Sequence, residues 1–285
     1  MATRDFLLVA KPGIVAGNVL AAVGAFFVGS PDGVNWTKLL GLVVGTTLVI
    51  AAACVVNNYF DRDIDATMTR TRTRPLASNA IPLHIARWYA AGLFVIGFVV
   101  LLWLTNIQTA AIGALGVVGY TVVYWYAKRR TPYATLIGAF PGATPPLAGY
   151  VAATGHFDSG AWLLFAAMFA WQIPHFYAIG IRRIEDYRAA GVLVMPAVKG
   201  LARTVWEMRF FGVLFPVLCY CIAHQGYAGF MFGAAMVLVS LYWLQPMFSP
   251  HWRSQTVATA TEVFKRSLIV LGAFCAFMTL SHILL

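Results

Sequence analysis

Leu39-Leu40-Gly41-Leu42-Val43-Val44-Gly45-Thr46-Thr47-Leu48-Val49-Ile50-Ala51-Ala52-Ala53-Cys54-Val55-Val56 carries no charge, and Asn57-Asn58-Tyr59-Phe60-Asp61-Arg62-Asp63-Ile64-Asp65 follows it at once. An apolar run of about 20 residues is long enough to cross the hydrocarbon core of a bilayer. Backbone groups in lipid have to bond within their own segment, so the run reads as a helix. If that helix continues past Val56, Asn57, Asp61 and Asp65 recur every four residues and share one face, with neighbouring Cβ atoms about 5–6 Å apart. Carboxylates there face one another and the negative end of the helix dipole, and so call for cations. Oxygen ligands with room for water suit Mg²⁺, which takes a carboxylate or two plus substrate phosphates. The plainer alternative is an interfacial loop whose acids pair with Arg62, Arg70 and Arg74.

Working outward, similar runs are centred near Ala21, Phe98, Gly116, Gly142, Phe169, Phe215, Met236 and Phe274. The expectation is therefore an all-α integral membrane protein. It is a bundle of about nine transmembrane helices with a cytoplasm-facing active-site cavity, and residues 1–285 form a single domain. Composition agrees. The chain is 60% hydrophobic and only 11% charged, whereas a soluble domain is nearer a quarter charged. With the N-terminus cytoplasmic, 19 of the 20 Lys and Arg fall in cytoplasmic segments and only Lys38 lies opposite, as the positive-inside rule requires. The C-terminus then lies on the far side. The net charge of +10 thus reflects orientation and is no sign of nucleic-acid binding. The apolar part of Met1–Pro12 is too short for a signal peptide. Cys54, Cys219, Cys221 and Cys275 all fall in apolar runs and read as packing residues, with no disulfide or metal pattern.

Two cytoplasmic links, roughly Asn57–Arg87 and His175–Arg209, are long and polar, and chemistry is expected there. The second begins Trp171-Gln172-Ile173-Pro174-His175 and includes Glu185-Asp186-Tyr187. Asp61 and Asp186 follow even-numbered helices and reach the same face. Lys128-Arg129-Arg130 ends another span on that face, and with Arg70 and Arg74 its cations suit phosphate. Carboxylates for Mg²⁺, cations for phosphate and an apolar bundle beneath describe a site for an isoprenoid diphosphate.

At this point the residues resemble a family. Asn57 to Asp65 looks like the Asn-Asp-x-x-Asp-x-x-x-Asp motif of the UbiA-type intramembrane prenyltransferases, with Asn58 in place of the first Asp. Lys11-Pro12-Gly13-Ile14, Lys128-Arg129, Gly142-Ala143-x-Pro145-Pro146, Trp171-Gln172-x-Pro174-His175, Asp186-Tyr187 and Pro196-Ala197-Val198-Lys199-Gly200 resemble the heme O synthase branch, in order from Lys11 to Lys199. The resemblance implies a Mg²⁺-dependent enzyme of a bacterial inner membrane. It would transfer farnesyl from farnesyl diphosphate to a vinyl group of heme B, with addition of water. Asp61, Asp65 and Asp186 would be catalytic and hold the metal. Asn57, Asn58, Arg70, Arg74, Lys128 and Arg129 would bind diphosphate, and Trp171, Gln172 and His175 would serve heme. Pro174 removes a helical hydrogen-bond donor and is expected to kink the chain, turning His175 towards the cavity. The second Asp-rich cluster, reduced to Glu185-Asp186, is thinner than in the wider family. The implied partners are the lipid bilayer and downstream heme-handling or terminal oxidase assembly proteins. Two other readings remain: a prenyltransferase for an aromatic acid or quinone precursor, and a small transporter whose fifth span is broken by Pro141, Pro145 and Pro146.

Overall fold

A computed structural model describes residues 3–284, with side chains through Ser281. Every regular element among them is a helix: α1 Thr3–Val9, α2 Pro12–Val28, α3 Trp36–Thr67, α4 Leu83–Leu104, α5 Ile107–Val118, a π turn Gly119–Tyr124, α6 Trp125–Ala127, α7 Ala134–Gly142, α8 Thr144–Thr154, α9 Ser159–Arg182, α10 Ile184–Ala189, α11 Met195–Val198, α12 Gly200–His224, α13 Phe230–Met247, a short 3₁₀ turn Pro250–Trp252 and α14 Thr256–Leu284.

Seven of these are long and apolar enough to cross a membrane, counting α5 through α6 as one. An eighth candidate is the pair α1 and α2, which bend by 53° where they meet. The bend has a local cause. Lys11 leaves the helix in the left-handed region at φ 54° and Pro12 opens α2, since the right-handed helical region is disfavoured for a residue before proline. The run centred on Gly142 differs from the expected single span. It is two helices, α7 and α8, of 9 and 11 residues. Pro145 and Pro146 open the second, where their missing N–H groups cost nothing. α7 packs on the π turn, and α8 ends against the opposite face, where Asn106 donates to the Val151 carbonyl and Lys38 to that of Ala153.

Several helices start on side-chain caps. Asn35, Asn106 and Asp158 each accept the backbone N–H three residues on, satisfying a donor the first turn leaves open. Trp243, Phe215, Phe232 and Phe274 are fully buried among α12, α13 and α14. Outside, Trp36, Trp88, Trp103 and Phe230 are all at least 70% exposed. Large aromatics left outward in such number suit a lipid-facing surface.

The two polar links are shorter than expected. α3 carries on to Thr67 and α9 to Arg182, so Asn57–Asp65 and Trp171–His175 lie on helices and not in loops. Reading ahead from an apolar run ends a helix at its first polar residue. Here the polar residues stay helical because they are buried in the bundle and have partners.

Candidate active site

The face of α3 that carries Asn57, Asp61 and Asp65 is buried, and each residue meets a cation from a different element. At the deepest level the Lys11 ammonium donates to Asn57 Oδ1 at 3.0 Å. One turn on, Asn57 Nδ2 donates to Asp61 Oδ2 at 3.0 Å, and that oxygen also receives Lys128, which follows α6. A further turn on, Arg74 spans both oxygens of Asp65 with Nη1 at 2.9 and 2.7 Å. The site is thus a ladder of three polar rungs along one helix. Burying a carboxylate is tolerable only when it is paired and hydrogen-bonded, and the ladder meets that condition. Burial pulls the Lys128 ammonium below its ordinary range, and Asp61 acts in the opposite direction.

Arg129 closes the rim. Its guanidinium donates to the Phe60 carbonyl at 3.0 Å, stacks over Trp125 at 4.5 Å and stands 3.6 Å from Asp61 Oδ1. That Asp61 oxygen is buried without a hydrogen-bond partner. An orphaned carboxylate oxygen beside a second carboxylate and an amide is a donor set that fits Mg²⁺, which takes few protein oxygens and completes its shell with phosphate and water.

Asn58 takes a different place from the one expected. One residue off the ladder face, it donates from Nδ2 to the Val9 carbonyl at 2.8 Å and so ties α3 to α1. Arg70 is exposed in the turn after α3. The second polar link does come over the ladder, through Tyr187. Burial raises the Tyr187 hydroxyl above its ordinary range, and the charges of Arg70 and Arg74 beside it act the other way. Asp186, however, stands 3.9 Å from Arg183 on its own short helix. Among the described residues no three His, Cys, Asp or Glu side chains gather as a metal-holding group. The expected cluster of Asp61, Asp65 and Asp186 is therefore not assembled in this conformation: each acid is turned to its own arginine or lysine.

Trp171, Gln172 and His175 also have occupations within the bundle. Trp171 Nε1 donates to the Ser267 carbonyl at 3.0 Å. Gln172 Nε2 donates to the Ala139 carbonyl at 3.2 Å, and its amide oxygen lies where a Cβ on Gly142 would be, 2.0 Å away. His175 is stacked on Trp171 and leans on Phe264. The expected opening at Pro174 is absent: α9 runs unbroken through it, since packing on α12 and α14 holds the helix where one hydrogen bond is missing. The tautomer of His175 follows from its partner. Ser267 donates its only proton to the Phe264 carbonyl at 2.6 Å, so at 2.7 Å it must accept from His175 Nδ1–H. That leaves the lone pair on Nε2.

Two residues of the ladder were not singled out as site residues from sequence: Lys11 and Tyr120, whose hydroxyl is 3.4 Å from Asn57 Oδ1. A lysine directly before a proline that opens a span was the available signal for the first. The second had none.

A model of the UbiA prenyltransferase family matches residues 18–269. Protoheme IX farnesyltransferase 2 of Pseudomonas aeruginosa is 39% identical over 282 residues, covering 98% of this chain and 95% of that protein. The protoheme IX farnesyltransferase of Citrobacter koseri is 37% identical over 280 residues, with the same coverage. A solved structure of digeranylgeranylglyceryl phosphate synthase has the same fold, with a TM-score of 0.81 at 19% identity over 99% of both chains. A UbiA homolog from Archaeoglobus fulgidus, bound to GPP and Mg²⁺, superposes with a TM-score of 0.66 at 14% identity, covering 96% of this chain and 99% of that one. With its ladder on α3, its all-helical fold and these relatives, the chain belongs to the UbiA prenyltransferase family, in the company of the protoheme IX farnesyltransferases.

Proposed function

We propose that this chain transfers the farnesyl group of farnesyl diphosphate to a vinyl group of heme B, with addition of water, to make heme O. The observation that carries the reading is the α3 ladder, whose two buried carboxylates and three cations stand above an apolar helical interior. Such a site takes a charged head and an apolar tail at once. Relatives covering nearly the whole chain bear the protoheme IX farnesyltransferase name, which favours a heme acceptor over an aromatic acid. A transporter would gather its ionisable groups at the bilayer midplane, whereas here Asp61 and Asp65 fall in the last two turns of α3. Residues 1–285 act as one domain in a bacterial inner membrane. Its N-terminus and ladder face the cytoplasm, where both substrates are water-accessible.

Asp61 and Asp65 would hold Mg²⁺, with Asp186 brought in when the diphosphate draws the arginines away. Bound there, Mg²⁺ neutralises the charge that develops on the departing diphosphate. Lys128, Arg74 and Arg129 supply positive charge to the same phosphates, an electrostatic contribution that grows as the C1–O bond breaks and its electron pair leaves with the diphosphate. The farnesyl cation that remains is attacked by the terminal vinyl carbon. The charge then rests on the carbon next to the porphyrin, where water adds and loses a proton. His175, with Nε2 as its free lone pair, is the side chain for heme.

The test is direct. Purified protein with heme B, farnesyl diphosphate and Mg²⁺ should yield a porphyrin heavier by one farnesyl group and one hydroxyl in mass spectrometry. Unchanged heme B, together with transfer to an aromatic acid, would replace this acceptor with the other.

A further inference from the structure

We infer that Tyr120 is the residue that faces the allylic cation, a role that rests on the prenyl-transfer reading above. The first observation is the π turn itself. Six residues, Gly119–Tyr124, widen the fourth span just before it reaches the site, and such turns hold an extra residue in a helix at an energetic cost. Inside it, Tyr120 and Tyr124 stack nearly parallel, with an interplanar angle of 11° and centroids 5.6 Å apart. Tyr124 already presents its face to a cation, the Lys128 ammonium, 5.7 Å from the ring centre.

Depth assigns the other ring. The Tyr120 hydroxyl donates to Asn57 Oδ1 at 3.4 Å, so Tyr120 is level with the lowest rung of the ladder. It lies one turn, about 5.4 Å, further into the bundle than Asp61 and Lys128. A diphosphate held at Asp61 and Asp65 points its first prenyl carbon to that level, and breaking the C1–O bond leaves the positive charge there. A carboxylate at this depth would capture the cation. An aromatic face stabilises it by its quadrupole and forms no bond. Three groups stand at this level, and two of them are already engaged: Lys11 donates to Asn57, and Asn57 donates to Asp61. Tyr120 keeps its hydroxyl on Asn57 and remains half-buried, with a neutral ring to offer.

Replacement of Tyr120 by phenylalanine and then by mono-, di- and trifluorophenylalanine tests this, because fluorine drains the ring face while nearly preserving its shape. Diphosphate release from farnesyl diphosphate is measured beside heme O formation, since release reports ionisation whatever the acceptor. A heme reading that fails is thereby separable from a Tyr120 role that fails. The expected result is that Tyr120→Phe keeps kcat within about threefold, and that kcat then falls stepwise with each fluorine. Tyr120→Leu should lose about 10- to 30-fold in kcat while KM for farnesyl diphosphate changes by less than about threefold. A flat fluorine series, or a loss confined to KM, overturns the assignment and leaves Tyr120 as a packing residue that positions Asn57.

Discussion

Asp61 and Asp65 each hold a cation that has no other anion on the ladder: Lys128 in one case, Arg74 in the other. Removing either acid deletes a ligand of the proposed metal and strands a partly buried cation. Asp61→Ala and Asp65→Ala are each expected to lower heme O formation at least about 100-fold. The loss of a buried pair also costs stability, on the order of 3 kcal/mol, so the check pairs turnover with detergent-solubilised yield. Near-normal turnover at normal yield in either variant would falsify the metal role. A second residue-scale expectation concerns Ser267. Its hydroxyl fixes the Nδ1–H form of His175, and Ser267→Ala frees the imidazole to change tautomer. If His175 serves heme through Nε2, this variant should weaken heme B binding and shift the bound heme's absorbance while farnesyl diphosphate affinity holds. Equal affinity for heme in Ser267→Ala and His175→Ala, both unchanged from the parent, returns the imidazole to a packing role.

At the scale of elements, the ladder depends on how closely helices approach. Gly149 on α8 lies against α2 so tightly that a Cβ there would sit 1.9 Å from the Ala22 carbonyl oxygen. Backbone cannot give way as a side-chain tip can, so Gly149→Ala must part the two helices. Overpacking of this kind typically costs about 1–3 kcal/mol, and the expected result is a melting temperature several degrees lower with the site chemistry otherwise intact. An unchanged melting temperature would mean that α2 slides freely over α8. The same closeness explains two motifs together: Gly142 leaves room for the Gln172 amide, which in turn donates to Ala139. Spacing along the chain reveals each motif, but only the packing of α7 on α9 reveals that they are one contact.

For the molecule as a whole, the ladder gathers cations from the α1–α2 bend, the turn after α3 and the end of α6, so no single segment makes the proposed diphosphate site. Activity is expected to need Mg²⁺ and to vanish in excess EDTA, because two buried carboxylates facing a diphosphate leave like charges uncompensated. Full heme O formation in EDTA would end the metal reading. Much of this design was legible from residue order. Apolar runs with almost no charge must be membrane helices, because unpaired backbone is not tolerated in lipid. The four-residue spacing of Asn57, Asp61 and Asp65 places them on one face once the helix continues, because that spacing is nearly one helical turn. Residue order could not say which partner each acid would take. Lys11 is 46 residues from Asn57 and Lys128 is 67 from Asp61, and contacts so distant in sequence are settled only when the helices pack. Nor could it say that α9 would run unbroken through Pro174, or that His175 would spend Nδ1 on Ser267, 92 residues away. Periodicity along a chain determines which residues share a face; the face it meets is decided by the burial of the whole bundle.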